Sequence, residues 1–288
     1  MFTLGYNTNG LAHHRVDEAL TLLADLGYGA MALTPDVGQL DPFRCTAREV
    51  GEFRAQAEDL GMALVIETGA RYLLDPKRKH FPTLLEVEES ERRRRLEFLG
   101  RCVDLAADLG APLVSIWAGA APAGQIAETQ SPDNEEVWDR LCAGLQPLMD
   151  HGANQGVQIG FEPEPGMFIE TPSGYRELLS RLGTGPGELG LTLDLGHLVV
   201  TGDLPVEAVI AEHASEIRNV HLDDCPAGVH QHGLFGTGDL DLNAALKALL
   251  QSGYSGVASV ELSRDSHQAP VIAAQALAQL RQALEIGP

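Results

Sequence analysis

Four segments of the chain share an unusual ending. Each is an apolar run that closes on a carboxylate or an imidazole: VQIGFE on Glu162, LGLTLD on Asp194, IRNVH on His221 and GVASVE on Glu261. Short apolar runs of this kind read as buried strands, so each polar side chain stands at the edge of a core. Three carboxylates and one imidazole, with no thiolate, suit Mn²⁺, Mg²⁺, Co²⁺ or Zn²⁺. If they converge, the carboxylates cannot all stay ionised without a cation between them. Any one of the four alone would read as a strand-end group satisfied by a loop. Their recurrence predicts one divalent ion on Glu162, Asp194, His221 and Glu261.

Convergence requires a fold that gathers strand ends. Apolar strand signals fall at 2–7, 28–33, 62–67, 112–117, 157–162, 189–194, 217–223 and 256–262. Helical periodicity fills the gaps at 13–26, 46–60, 90–109, 135–155, 171–182, 205–213, 242–251 and 268–286. Ser90 is the expected cap of the third helix, and Thr171-Pro172 is a good start for the fifth. Strands alternating with helices imply a parallel sheet with right-handed crossovers. Eight such units fit one (β/α)₈ barrel domain over residues 1–288, whose strand carboxyl ends share one face. A doubly wound open sheet is disfavoured, because no glycine-rich phosphate loop follows the first strand and Gly236-Thr237-Gly238 does not read as a nucleotide fingerprint. The stretch after the third strand, at about 70–89, is too long for a plain connection and is a candidate lid. A Gly/Ala/Pro-rich loop runs from Trp117 to about Asn134.

Composition narrows the partners. The formal net charge is −21 and the pI about 4.7. Phosphate backbones and anionic membranes are held by Lys and Arg, so no nucleic-acid or membrane partner is expected. No apolar run has the length of a membrane span. Cys45, Cys102, Cys142 and Cys225 form no CxxC pair, and Cys102 and Cys142 fall on apolar helix faces as buried thiols. The N-terminal MFTLGYNTNG reads as a strand and not as a signal peptide. A cytoplasmic location is expected, with homo-oligomerisation left open.

The motifs together resemble the xylose-isomerase-like barrel superfamily, which includes sugar isomerases, ketose epimerases and abasic-site endonucleases. The marks are Glu162, the Asp-x-x-His of Asp194 and His197, the V-H-L-x-D of Val220 to Asp224, the G-x-G-x-x-D of Gly236 to Asp241, and Glu261. The resemblance spans essentially the whole chain. It implies a divalent ion on Glu162, Asp194, His221 and Glu261, with Glu162 and Glu261 exchanging the proton beside a carbonyl through a cis-enediolate. It also implies that His197 holds a substrate hydroxyl. The chemistry agrees: polarising the oxygen acidifies the neighbouring C–H, and two facing carboxylates can act as base and acid. The epimerases place an arginine shortly after the residue matching His221, and none follows here. Many relatives have Lys or Asn where Asp223 stands. The nuclease relatives hold three zinc ions with extra histidines from earlier strands, where this chain has Glu67-Thr68-Gly69 and Trp117-Ala118-Gly119.

Further residues extend the expected site. His230-Gln231-His232 resembles the nuclease Asp-x-His loop, so His197, His230 and His232 could hold a second metal. An exposed loop pair is the plainer reading, and His232 is otherwise a substrate contact. Glu164 is expected to bind substrate or cap a loop. Glu67 either faces the pocket or makes a packed salt bridge, and Trp117 is either a sugar-stacking platform or a core aromatic. Arg71 and Lys77-Arg78-Lys79-His80 form the dense basic patch of an acidic chain. It reads either as a solvated loop or as a lid that brings Arg78 to an anionic substrate group. The substrate is expected to be a sugar or sugar phosphate. The rival functions are a metal-dependent hydrolase acting on a phosphodiester, a dehydratase, and a sugar-binding barrel without turnover.

Overall fold

The computed structural model describes residues 1–121 and 134–285. Eight parallel strands close into a barrel in chain order: β1 (Thr3–Asn7), β2 (Ala30–Leu33), β3 (Ala63–Glu67), β4 (Leu113–Ile116), β5 (Gln158–Phe161), β6 (Leu189–Asp194), β7 (Ile217–Leu222) and β8 (Val257–Val260). Pairing of β1 with β8, from Thr3 opposite Val257 to Tyr6 opposite Val260, completes the ring. Every residue of β2, β4 and β6 is buried. Helices cover the outer face and side chains fill the inner one, which is why these strands read as continuous apolar runs. Two glycines make room inside the barrel. A Cβ on Gly160 would sit 2.8 Å from Thr192 Oγ1, and one on Gly5 would sit 2.7 Å from Ser259 Oγ.

The helices of the described residues are α1 (Val16–Leu26), α2 (Ala47–Asp59), α3 (Glu89–Leu109), α4 (Glu135–Gln155), α5 (Pro172–Leu182), α6 (Leu195–Thr201), α7 (Val206–Glu212), α8 (Leu242–Gln251) and α9 (Ala269–Glu285). Their ends show where local chemistry governs. Thr46 and Glu49 form a reciprocal capping box on α2. Thr171 accepts from the Gly174 N–H with Pro172 in the first turn of α5, as its sequence predicts.

Three expectations are corrected. The first helix starts at Val16 and not at 13, because residues Thr8–Leu11 wind into a 3₁₀ turn capped by Asn7 and Arg15 is extended. Ser90 does not cap α3, which begins at Glu89; Arg92 holds the entry by donating to the carbonyls of Glu86 and Val87. The helix α6 was not expected at all. The last helix is described as far as Glu285; its expected end at 286 lies outside the described residues, as does most of the Gly/Ala/Pro-rich loop expected up to Asn134. Residues 68–88, between β3 and α3, carry no helix or strand. No helix among the described residues is long and apolar enough to cross a membrane.

Candidate metal centre and substrate cavity

The backbone ladder continues one residue past the strands and fixes the acidic pair. The Glu162 N–H donates to the Ile116 carbonyl at 2.8 Å, and the Glu261 N–H donates to the Leu222 carbonyl at 3.0 Å. Asp194 and His221 are register partners across β6 and β7. Glu162, Asp194, His221 and Glu261 thereby offer ligand atoms that all lie within 4.8 Å of one another. His221 Nδ1 is 3.0 Å from Glu162 Oε1, 3.0 Å from Glu261 Oε2 and 3.8 Å from Asp194 Oδ2. Its other nitrogen, Nε2, lies 3.0 Å from Glu67 Oε1, which also accepts from Asn219 Nδ2 at 2.9 Å. Glu67 and Asn219 thus hold the ring so that Nδ1 faces the three carboxylates.

Asp194 has two tasks. Its Oδ1 accepts from the His197 N–H at 2.8 Å and caps α6, while its Oδ2 is buried with no hydrogen-bond partner. Burial first, then Asp223, pushes its carboxyl well above the ordinary range. Burial also raises Glu162, with His221 opposing. At Glu261, whose side chain is 13% exposed, burial is outweighed by His221 and His232, and the carboxyl is held below its usual range. At His221, burial would lower the pKa, but Glu67, Glu162 and Glu261 outweigh it and hold the imidazolium well above its ordinary value. An orphaned carboxylate oxygen and a donor set of hard oxygens with one imidazole nitrogen fit a divalent ion.

His230 and His232 are not an exposed loop pair. Both are partly buried and turn inward onto His197. Nε2 of His230 is 3.1 Å from that of His197 and 2.9 Å from that of His232. His197 Nδ1 donates to the Pro163 carbonyl at 3.2 Å, and His232 Nδ1 is 2.6 Å from Asp223 Oδ2. Burial, then His232, holds His197 well below its ordinary value and His230 at about 4. At His232 burial is outweighed, chiefly by Asp223, and the ring is held well above. Asp223 is itself fully buried. A Cβ on Gly196 would come within 2.0 Å of its Oδ1, which accounts for the glycine between Asp194 and His197.

The G-x-G-x-x-D segment is scaffold. Asp224 Oδ2 accepts from the N–H groups of Gly236 at 2.7 Å and Gly238 at 2.8 Å, and Oδ1 accepts from Leu240 at 3.0 Å. Asp241 then caps α8 through Ala244. A Cβ on Gly238 would meet the Cys225 backbone at 2.3 Å. The Asp224 carboxylate therefore gathers residues 236–240, and its backbone pairs with Gly233, beside His232, at 2.9 and 2.7 Å.

These groups open on a cavity of about 510 Å³. Of the residues expected to touch substrate, Glu164, His197, His232 and Trp117 line it, together with Glu67 and His230. Burial first, then Glu162, pushes the Glu164 carboxyl up to about 8. Trp117 is 5% exposed, with the guanidinium of Arg95 4.5 Å from its ring centre and His80 edge-on at 5.6 Å. Arg78 does not line the cavity: Asp75 at 2.7 Å and Glu91 at 3.1 Å capture it over the Phe81 ring. The cations that do line it are Arg71, Lys79 and Arg264. Sequence reasoning missed four groups. Asn219 stands two residues before His221 on one strand, so the period of two could have found it. Asn9, whose Nδ2 donates to Glu261 Oε1 at 2.6 Å, and Arg264 lie in loops after strands, with no pattern to mark them. Arg95 is a fully buried cation inside a run of four arginines that reads as a solvated helix face.

A parallel eight-stranded barrel with acids and imidazoles at its carboxyl face defines the class. The family described as Xylose isomerase-like TIM barrel matches residues 20–283, and the chain belongs to it. Among curated proteins, the chain is 26% identical to an inosose dehydratase of Lacticaseibacillus casei, over 70% of this chain and 78% of that one. It is 24% identical to a fructoselysine 3-epimerase of Shigella flexneri, over 91% and 88%. Among solved structures, an L-ribulose 3-epimerase superposes with a TM-score of 0.78 at 20% identity, covering 99% of this chain and 95% of that one.

Proposed function

We propose that the chain is a divalent-metal-dependent isomerase or epimerase of a sugar or sugar derivative, working through a cis-enediolate. The observation that carries this reading is the convergence of Glu162, Asp194, His221 and Glu261 at four consecutive strand ends, their ligand atoms within 4.8 Å. The sugar epimerases among its relatives support it. A divalent ion held there would act as a Lewis acid on adjacent substrate oxygens and acidify the C–H beside the carbonyl. Glu162 and Glu261 each reach within 3.0 Å of His221 Nδ1 and serve as base and conjugate acid for that proton. His197 Nε2 and His232 bind substrate hydroxyls, with Trp117 and Glu164 as further contacts. The three imidazoles of His197, His230 and His232 also form a donor set for a second ion.

The test combines elemental analysis with incubation in D₂O. About one Mn, Mg, Co or Zn per chain is expected, with deuterium incorporated at the reacting carbon of a ketose panel. No bound ion after each metal is added in turn would sink the reading. A metal-bearing protein without exchange would be a sugar-binding barrel instead. A dehydratase is the second reading, favoured by the inosose dehydratase relatives and by Glu164. A carboxyl held at about 8 stays protonated near neutrality and can donate to a departing hydroxyl. Mass spectrometry separates the two, since dehydration loses water and epimerisation does not. Hydrolysis is less supported, because β3 ends on Glu67, which is engaged with His221.

Glu67 gives a further prediction for this centre. A carboxylate on the far nitrogen of a ligating histidine fixes its tautomer and raises its basicity; losing it typically costs about 10- to 100-fold in metal affinity. Glu67→Ala should show a loss of that size by chelator competition, and Glu67→Gln, which keeps an acceptor, should recover part of it. Wild-type affinity in Glu67→Ala would remove this role.

A further inference from the structure

We infer that the cavity mouth is an anion subsite in which Arg71, Lys79 and Arg264 receive a phosphate or carboxylate of the substrate, so that the preferred substrate is an anionic sugar derivative and not a neutral ketose. The inference rests on the proposed function only for the reaction at the acidic centre of the cavity.

The charges are placed against the trend of the molecule. The chain carries −21 overall, and the remaining charged groups lining this cavity are glutamates and histidines. Elsewhere many arginines find carboxylates, as in Arg54 with Glu58 at 2.8 Å and Arg181 with Glu135 at 2.9 Å, while Arg92, Arg218 and Arg281 donate to backbone carbonyls away from this cavity. Among the described residues, Arg71, Lys79 and Arg264 have no carboxylate oxygen within 4.0 Å. Two of them are instead clamped by backbone. Arg71 Nη2 donates to the Asn9 carbonyl, and Arg264 Nη2 donates to the His230 carbonyl at 3.0 Å. Such clamps fix where a guanidinium points and leave its charge uncompensated. The three also crowd one another: the Lys79 ammonium is held below its usual value by burial first and then by Arg71, with Arg264 adding and Glu164 opposing. Like charges gathered together disfavour their own charged forms. A bound anion relieves that repulsion, and planar guanidinium groups suit phosphate and carboxylate alike.

The experiment is calorimetric titration of the Mn²⁺-replenished full chain with D-ribulose, D-ribulose 5-phosphate and D-ribonate. The charged ligands should bind at least about tenfold more tightly than D-ribulose, and the stronger of the two names the anion. Lys79→Ala and Arg264→Ala, both at exposed side chains, should each lower the charged-to-neutral affinity ratio about tenfold. In Asp194→Ala the ratio should persist even as all three ligands weaken. That outcome would separate the subsite from the metal centre: a ratio that survives in the metal-free variant would leave the subsite standing, whereas a ratio that collapses with the metal would overturn it. A wild-type ratio near one, or equal losses for charged and neutral ligands in Lys79→Ala, would overturn the inference.

Discussion

Glu162→Gln is expected to lower kcat by about a hundred- to ten-thousand-fold, the range that a positioned general acid or base contributes. The substitution keeps the shape of a buried side chain and its carbonyl oxygen, but removes the group that accepts the proton. It should not unfold the barrel. Burial already raises the Glu162 carboxyl, so the charged form is the costly one in the folded state, and a neutral amide removes that cost. The paired readouts are deuterium incorporation into substrate, which should vanish, and the thermal midpoint of the chelated protein, which should not fall. Full turnover in Glu162→Gln would remove the residue from the proton path. A collapsed fold would instead make it structural, and Glu261→Gln would then carry the test.

Asp194→Ala should abolish stoichiometric metal, because it deletes the ligand oxygen that has no other partner. The stability of the variant distinguishes a metal ligand from a plain structural carboxylate. The folded-state pKa of Asp194 is raised. A raised carboxyl contributes stability that is fully present below its unfolded value, about 3.9, and is lost as pH rises through its folded value. Metal-free wild type should therefore lose ground to metal-free Asp194→Ala as pH climbs from 4 toward neutrality. Added Mn²⁺ should reverse the order, stabilising wild type alone. The helix cap that Oδ1 supplies to α6 offsets part of the gain, at about 1 kcal/mol for losing such a cap. Metal retained by Asp194→Ala, or no pH-dependent difference in the chelated pair, would count against the site.

The barrel was legible because its signal is repeated. Strands buried on both faces read as apolar runs, and β6, α4 and α8 have the bounds that periodicity predicts. The four convergent side chains were legible for the same reason: each ends a run. What escaped depends on single contacts. The short helix α6 lies hidden behind β6, since Asp194 serves as both the strand's last residue and the helix's cap. Arg78 stands in the densest basic stretch of the chain, yet Asp75 three residues away takes it out of the cavity. Lys79, its neighbour, has no such partner and reaches the mouth. His230 and His232 look like loop residues in sequence, and it takes Asp223 on the His232 ring, Arg264 on the His230 carbonyl and the backbone pairing of Asp224 with Gly233 to hold their loop inward. Composition marks such charges, but which partner takes each one is decided by loop geometry that no periodicity records.

Strand order also divides the barrel's inheritance. All four proposed ligands come from β5 to β8, the second half of the closed ring, whereas Asn9, Glu67, Arg71, Lys79 and Trp117 reach the cavity from the first half. Mutation in the first half can retune which molecules are accepted without rewriting the chemistry, and the chemistry can be kept intact while the clientele changes. Substitutions at Arg71, Lys79 or Trp117 in the loops after the early strands should therefore shift substrate choice, whereas Asn9 and Glu67 are residues of that half whose drift would reach back into the reaction itself, through Glu261 and His221.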